Sequence, residues 1–514
     1  MKSSEMNSNR IVLFLGFFAL SATALLSEPY LIEGISYFKV AIGILLTSFI
    51  VPFIVIKLIS RSNSRTLLLA SIALIFLFFT FIKSENLYRD LFGAPGRSNG
   101  FLSALNFVYF VIFGVFVRRN FNIVVIFQLI SINAMAISTI SIALTFLNIG
   151  SNSFFASWNL SNTNFQENID LIAPLIAMGL IAEIYLVKVS KDYLRLLILI
   201  PTGIFLIKLG LLQSFVSIIL AIFVLVLLDF NRKIRGFWIP MVLSAGYLLG
   251  LWLTSFSFFR FDASVNERRE ITLFFRVLIQ ELTVFPQHVD ALSDFTQKYP
   301  SNQILDDLHN VFLQTTFSFG ILVGLAFIYI SLKPFWINSL EPHERSGYLA
   351  IYTIFFVSLF VGISSPNYIY FGAVLIGLSF KSPKHSNHKN ISSFKKSHNL
   401  TLGVAAVLIF IPAVFQIRDY LIRKEISELT IALQISNTNM DGELTRLNQL
   451  ILRMPDSGYR YLVARNFYAV GNCADGDEVL NLMTGTNPKE ARVSKLAVLR
   501  TECYDSKSKV REPL

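Results

Sequence analysis

His309 is the residue of this chain best suited to take a proton from a hydroxyl outside a membrane. Of the six histidines, His343, His385, His388 and His398 fall in basic segments between apolar runs, which leaves His288 and His309. An imidazole changes charge near neutral pH and so accepts a proton at little cost. His309 opens an apolar run, where the positive end of a helix dipole favours the neutral ring, while Asp306 and Asp307 act in the opposite direction. The same position suits a histidine that merely caps a helix, and the two aspartates suit an ordinary acidic helix start. As a metal pair these aspartates lack further ligands.

Cations that could face an anionic group come from the one long polar insertion, which begins at Phe256 and ends at Leu308. Ser264-Val265-Asn266-Glu267 is a capping-box pattern, so a helix is expected from about Val265. At helical spacing Ile271, Phe274, Phe275, Leu278, Leu282 and Phe285 share one arc, with Arg269 and Arg276 together well away from it and Arg268 nearer its border. Such a helix lies on a membrane surface and offers its guanidinium groups to a headgroup or phosphate. The alternative is an interfacial helix whose arginines reach out to lipid phosphates and do no more. A second external segment, Gly93-Ala94-Pro95-Gly96-Arg97-Ser98-Asn99-Gly100, is an irregular turn that presents Arg97.

These residues sit in a chain of 514 amino acids, 54% of them hydrophobic, with 49 phenylalanines. Its apolar runs repeat at about the 20-residue length of a bilayer crossing, which implies an all-α polytopic membrane protein of about 13 transmembrane helices. Spans are expected to start near Ile11, Val40, Thr66, Phe101, Ile123, Ile169, Leu194, Leu212, Gly236, His309, Tyr348, Tyr368 and Leu400. The net charge of +11 resides mostly in alternate short loops, where it sets orientation, and implies no nucleic-acid partner. By that rule the N-terminus is cytoplasmic, and the insertion and the C-terminal tail are external. Four regions follow: N-terminal spans over 1–255, the external loop 256–308, C-terminal spans over 309–418, and a small helical tail over 419–514. In the tail, Met454-Pro455 should close one helix, and Tyr461 to Asn472 has the helix-then-glycine pattern of a single tetratricopeptide-like unit. The two cysteines, Cys473 and Cys503, both lie there, where they are either bridged or a pair of buried thiols.

The run His309-Asn310-Val311-Phe312-Leu313-Gln314, followed by Gly320 and Gly324, resembles the signature of the O-antigen ligase and O-antigen polymerase superfamily, which includes bacterial protein O-oligosaccharyltransferases. Arg269-x-x-x-Leu273 is similar to that family's arginine motif, and Arg97-x-x-Gly100 with Asn106 to its first-loop pattern. Three departures accompany the likeness. The second glycine comes one position late, Ser318 stands where an acid is common, and Phe215 stands where an arginine is common, with Lys208 the nearby cation. The resemblance implies a glycosyltransferase of the bacterial inner membrane, with an undecaprenyl-pyrophosphate-linked glycan as donor. The acceptor hydroxyl would belong to lipid A core in a ligase, to a growing glycan in a polymerase, or to a protein. His309 and Arg269 would be catalytic and Arg97, Arg268, Arg276 and Asn310 would bind substrate, with no metal or other cofactor. The competing class is a transporter or flippase for the same kind of lipid, for which Glu183 and Lys208 are the obvious charges deep in a span.

Overall fold

The computed structural model describes residues 2–26, 35–59, 91–92, 100–146, 163–209, 212–230, 239, 282–284, 310–337, 340–361, 366–380, 395–435, 441–453, 457–469, 471–486 and 496–505. Among these residues the ordered elements are helical and there is no strand. Helices α1 (Lys2–Leu25), α2 (Ile35–Ile59), α3 (Phe101–Asn120), α4 (Val124–Phe146), α5 (Thr163–Ser190), α6 (Leu196–Leu209) and α7 (Leu212–Phe230) form the first half. They are followed by α8 (Val311–Leu332), α9 (Pro342–Val361), α10 (Pro366–Leu378), α11 (Lys395–Ile435), α12 (Asp441–Arg453), α13 (Ser457–Ala469) and α14 (Cys473–Thr486). Every expected span start has such a helix except those near Thr66 and Gly236, which lie outside the described residues. Among the described residues five helices are, by length and composition, long and apolar enough to cross a membrane: Asn7–Leu25, Phe101–Asn120, Val124–Ala143, Ile172–Ser190 and Val311–Trp336. This is the make-up of a membrane protein, because a helix satisfies its own backbone where water is absent.

Helix α10 is the buried centre, enclosed on every side from Tyr368 to Leu378. It runs parallel to α3, and the two meet at Gly114 and Gly377. A Cβ on Gly377 would stand 2.2 Å from the Val111 carbonyl oxygen and 2.7 Å from the Gly114 Cα, so only glycine permits the approach. Close crossings of small residues replace the hydrophobic drive that lipid cannot supply. Tyr348 and Tyr352 of α9 donate to the carbonyl oxygens of Leu375 and Ser331, at 2.6 and 2.7 Å, and so fix α9 to α10 and to α8. On the outside, α6 and α7 expose Leu197, Ile200, Ile204, Ile207, Ile219, Phe223 and Val226. An apolar surface of this extent is suited to lipid.

Composition draws a boundary at 418/419, but α11 passes through it as one helix of 41 residues. At that level Arg423 donates from Nε to Asp419 Oδ2 at 2.6 Å, and its guanidinium lies 5.9 Å from the centre of the Phe92 ring. The far end of α11 contributes Ile426 and Leu433 to a second core with Leu447, Ile451, Val463, Phe467, Val479 and Leu496. Tail and spans are therefore joined by a continuous rod. The anticipated stops hold: α12 ends at Arg453, and Gly471 adopts φ 79° after α13, where its left-handed backbone closes the helix. The tail is larger than one repeat unit, with α12, α13, α14 and the helical stretch 496–505 packed beside the end of α11.

Cys473 and Cys503 are bridged, which resolves the two alternatives in favour of a disulfide. Beside it, Asp477 accepts from Arg500 Nε at 2.8 Å, from the Tyr468 hydroxyl at 2.8 Å and from the Tyr504 hydroxyl at 2.9 Å. Burial alone would raise the Asp477 carboxyl, but these donors outweigh it and hold the group below its ordinary range. A depressed carboxyl contributes stability that is complete above its unfolded value of about 4 and is lost as pH falls through the lower folded value. Thermal melting of the tail should accordingly become acid-sensitive below about pH 4, and Asp477→Asn should flatten that dependence. An unchanged acid profile in the variant would remove Asp477 from the account.

Candidate functional site

Helix α8 is not the straight span expected to begin at His309. Gly320 interrupts it with φ 82° and ψ 164°, a conformation open essentially only to glycine. The consequence is visible in the side chains. A Cβ on Gly324 would stand 2.2 Å from Thr316 Oγ1 and 2.9 Å from Thr316 Cα, whereas eight residues of straight helix span about 12 Å. Phe312 and Phe327 bring their ring centres to 5.5 Å, where a straight helix would separate the residues by about 22 Å. Residues 311–319 thus form a short arm folded back along a long arm, 321–332, with Gly320 at the apex. Glycine serves twice here, once for the reversal and once, at Gly324, for the close approach of Thr316.

This hairpin lowers the start of the short arm into the bundle. Phe312 meets Phe356 and Phe360 of α9 at 5.9 and 5.0 Å, and Phe327 meets Phe107 of α3 at 5.8 Å. Phe107 lies two turns in from Gly100, about 10 Å of helix rise. Asn310 is therefore sunk beneath the face that carries Gly100 and the apex, and the chain climbs from it toward that face. At the apex, the Ile321 amide donates to the carbonyl oxygen of Thr283 at 2.9 Å, which ties the polar insertion to the reversal.

Asn310 is the N-cap of the short arm: its Oδ1 accepts from the Leu313 amide at 3.1 Å, and the residue is 7% exposed. The capping role open to His309 is thus taken by its neighbour. Gln314 and Ser318, one and two turns along, continue a buried polar stripe, with Gln314 Nε2 3.4 Å from Ser318 Oγ. His309, Arg269, Arg268, Arg276 and Arg97 lie outside the described residues, as do His288, Asp306 and Asp307. Asn106, from the first-loop pattern, is enclosed in the bundle and accepts from Thr47 Oγ1 at 3.0 Å, a contact that binds α2 to α3. Among the described residues no three of His, Cys, Asp and Glu gather as a metal site requires.

Of the two charges that would favour a transporter, Glu183 has partners within the bundle. Glu183, 1% exposed, accepts from Arg195 Nε at 2.8 Å and from Ser131 Oγ. Arg195, in the short helical turn Tyr193–Arg195 between α5 and α6, folds onto α5 as a partner for this carboxylate. Lys188 and Asp229 pair near the ends of α5 and α7, and Ser346 of α9 donates to Asp229 at 3.0 Å. The side chain of Lys208 lies outside the described residues. What sequence reasoning missed is the reversal, and its signal was the pair Gly320 and Gly324 inside an otherwise unbroken apolar run. Set beside known proteins, the chain matches no family model, no curated protein and no solved structure.

Proposed function

We propose that the chain is an integral membrane glycosyltransferase that moves a glycan from undecaprenyl pyrophosphate to the hydroxyl of an acceptor, lipid A core, on the outer side of the bacterial inner membrane. The observation that carries this reading is the reversal at Gly320, together with the cap at Asn310. It sinks Asn310, the residue next to His309, into the bundle and gives the capping role to Asn310. A pre-positioned base is what proton removal from an acceptor hydroxyl needs, and pyrophosphate leaves readily once its charge is met. Arg269 and Arg276, with Arg268 and Arg97, would meet that charge through planar forks that stay ionised at any accessible pH. The tail disulfide supports an external C-terminus, since such bonds persist in oxidising compartments.

In this reaction the acceptor oxygen attacks the anomeric carbon as the bond to the pyrophosphate oxygen breaks, His309 takes the hydroxyl proton, and configuration inverts in one step. The test uses membranes of a deletion strain with the protein added back and with pre-assembled lipid-linked polymer supplied. Transfer of the polymer to lipid A core is the expected result. Lengthening of the polymer with none reaching core would reject the ligase in favour of the polymerase, and neither product would reject a transferase.

A further inference from the structure

The apex of the hairpin is also an attachment point. Reversal at Gly320 leaves the amide of Ile321 without the carbonyl that an uninterrupted helix would supply, and the Thr283 carbonyl takes it at 2.9 Å across 38 positions of sequence (321 − 283). The segment 282–284 is thus joined by backbone to the same residue pair that sets the direction of the short arm. Upstream, Arg276 is seven positions from Thr283, which limits its Cα to within about 25 Å of this contact. Downstream, the chain must return to Asn310 at the sunken end of the arm. Resting on the transferase reading above, we propose that the Thr283–Ile321 contact at Gly320 is a positioning joint. It fixes the segment 282–284, part of the insertion whose arginines would hold the donor phosphates, against the reversal that sets the Asn310 end of the short arm. A joint of this kind acts on turnover more than on donor affinity, because the arginines keep their own charge when it is lost.

Cysteines introduced in the full-length protein as Thr283→Cys with Ile321→Cys test the contact directly, since both native cysteines are already paired. The pair is expected to crosslink in membranes with a short homobifunctional thiol reagent, which spans neighbouring residues whatever their Cβ directions, and the crosslinked protein should transfer glycan within about twofold of the unmodified enzyme. Gly320→Ala should lower kcat at least tenfold and leave the donor KM within about twofold. Failure to crosslink, a crosslinked protein without transfer, or Gly320→Ala with ordinary kcat would each overturn the joint. If Gly320→Ala does not accumulate, the crosslinked pair carries the test alone. Crosslinking without transfer even in unmodified protein would overturn the transferase reading and, with it, the positioning role, leaving a structural contact only.

Discussion

Exchanging His309 for alanine is expected to lower the rate of glycan transfer by about 10² to 10⁴, the usual worth of a positioned general base. Expression, membrane insertion and the crosslink at the hairpin apex should be unaffected, because Asn310 and not His309 caps the short arm. A histidine that served as the cap would instead show its loss as instability of the arm, at about 1 kcal/mol. The two roles therefore separate cleanly in one variant, measured by initial rates of transfer alongside yield in membranes. Arg269→Ala should also abolish transfer, with Arg97→Ala and Arg276→Ala giving partial loss, as expected where several guanidinium groups share one pyrophosphate. Near-normal transfer by the His309 variant would move the base to Asp306 or Asp307.

The second large effect is on stability. Arg195→Ala leaves Glu183 enclosed between α4 and α5 with Ser131 alone for company. Removing one partner of a fully buried pair costs about 3 to 5 kcal/mol, and somewhat less is expected here because Arg195 keeps 21% of its side-chain surface. Glu183→Gln in the same background removes the stranded charge and should recover most of the loss. Thermal aggregation of the detergent-solubilised protein measures both. A stable Arg195→Ala single variant would mean that water reaches Glu183 there, and would reopen a transport role for it.

How far these features could be read in the sequence differs by level. Periodicity and length located the helices, because lipid compels a chain to satisfy its backbone within each apolar run. Gly471 and Met454-Pro455 marked real helix ends for the same local reasons. The α8 hairpin was not legible, since a run from Val311 to Trp336 has the composition of an ordinary span. Its reversal depends on Gly320 adopting a backbone that other residues avoid and on Thr283, 38 positions away (321 − 283), accepting the stranded amide. The pairing of Arg195 with Glu183 was hidden in a different way: positive-inside counting treats a loop arginine as an orientation signal and cannot see it folded inward. The continuous passage of α11 through the change of composition at 418/419 has a similar cause, because helix propensity persists while only the face exposed to lipid or water changes.

Purified protein in liposomes, given undecaprenyl-pyrophosphate-linked glycan and lipid A core with neither nucleotide sugar nor divalent metal, tests the central claim most directly. The account predicts that glycan appears on lipid A core in step with release of undecaprenyl pyrophosphate, and that the His309→Ala protein slows both together. Donor that is carried across the bilayer with its glycan still attached, with no pyrophosphate released, would contradict it.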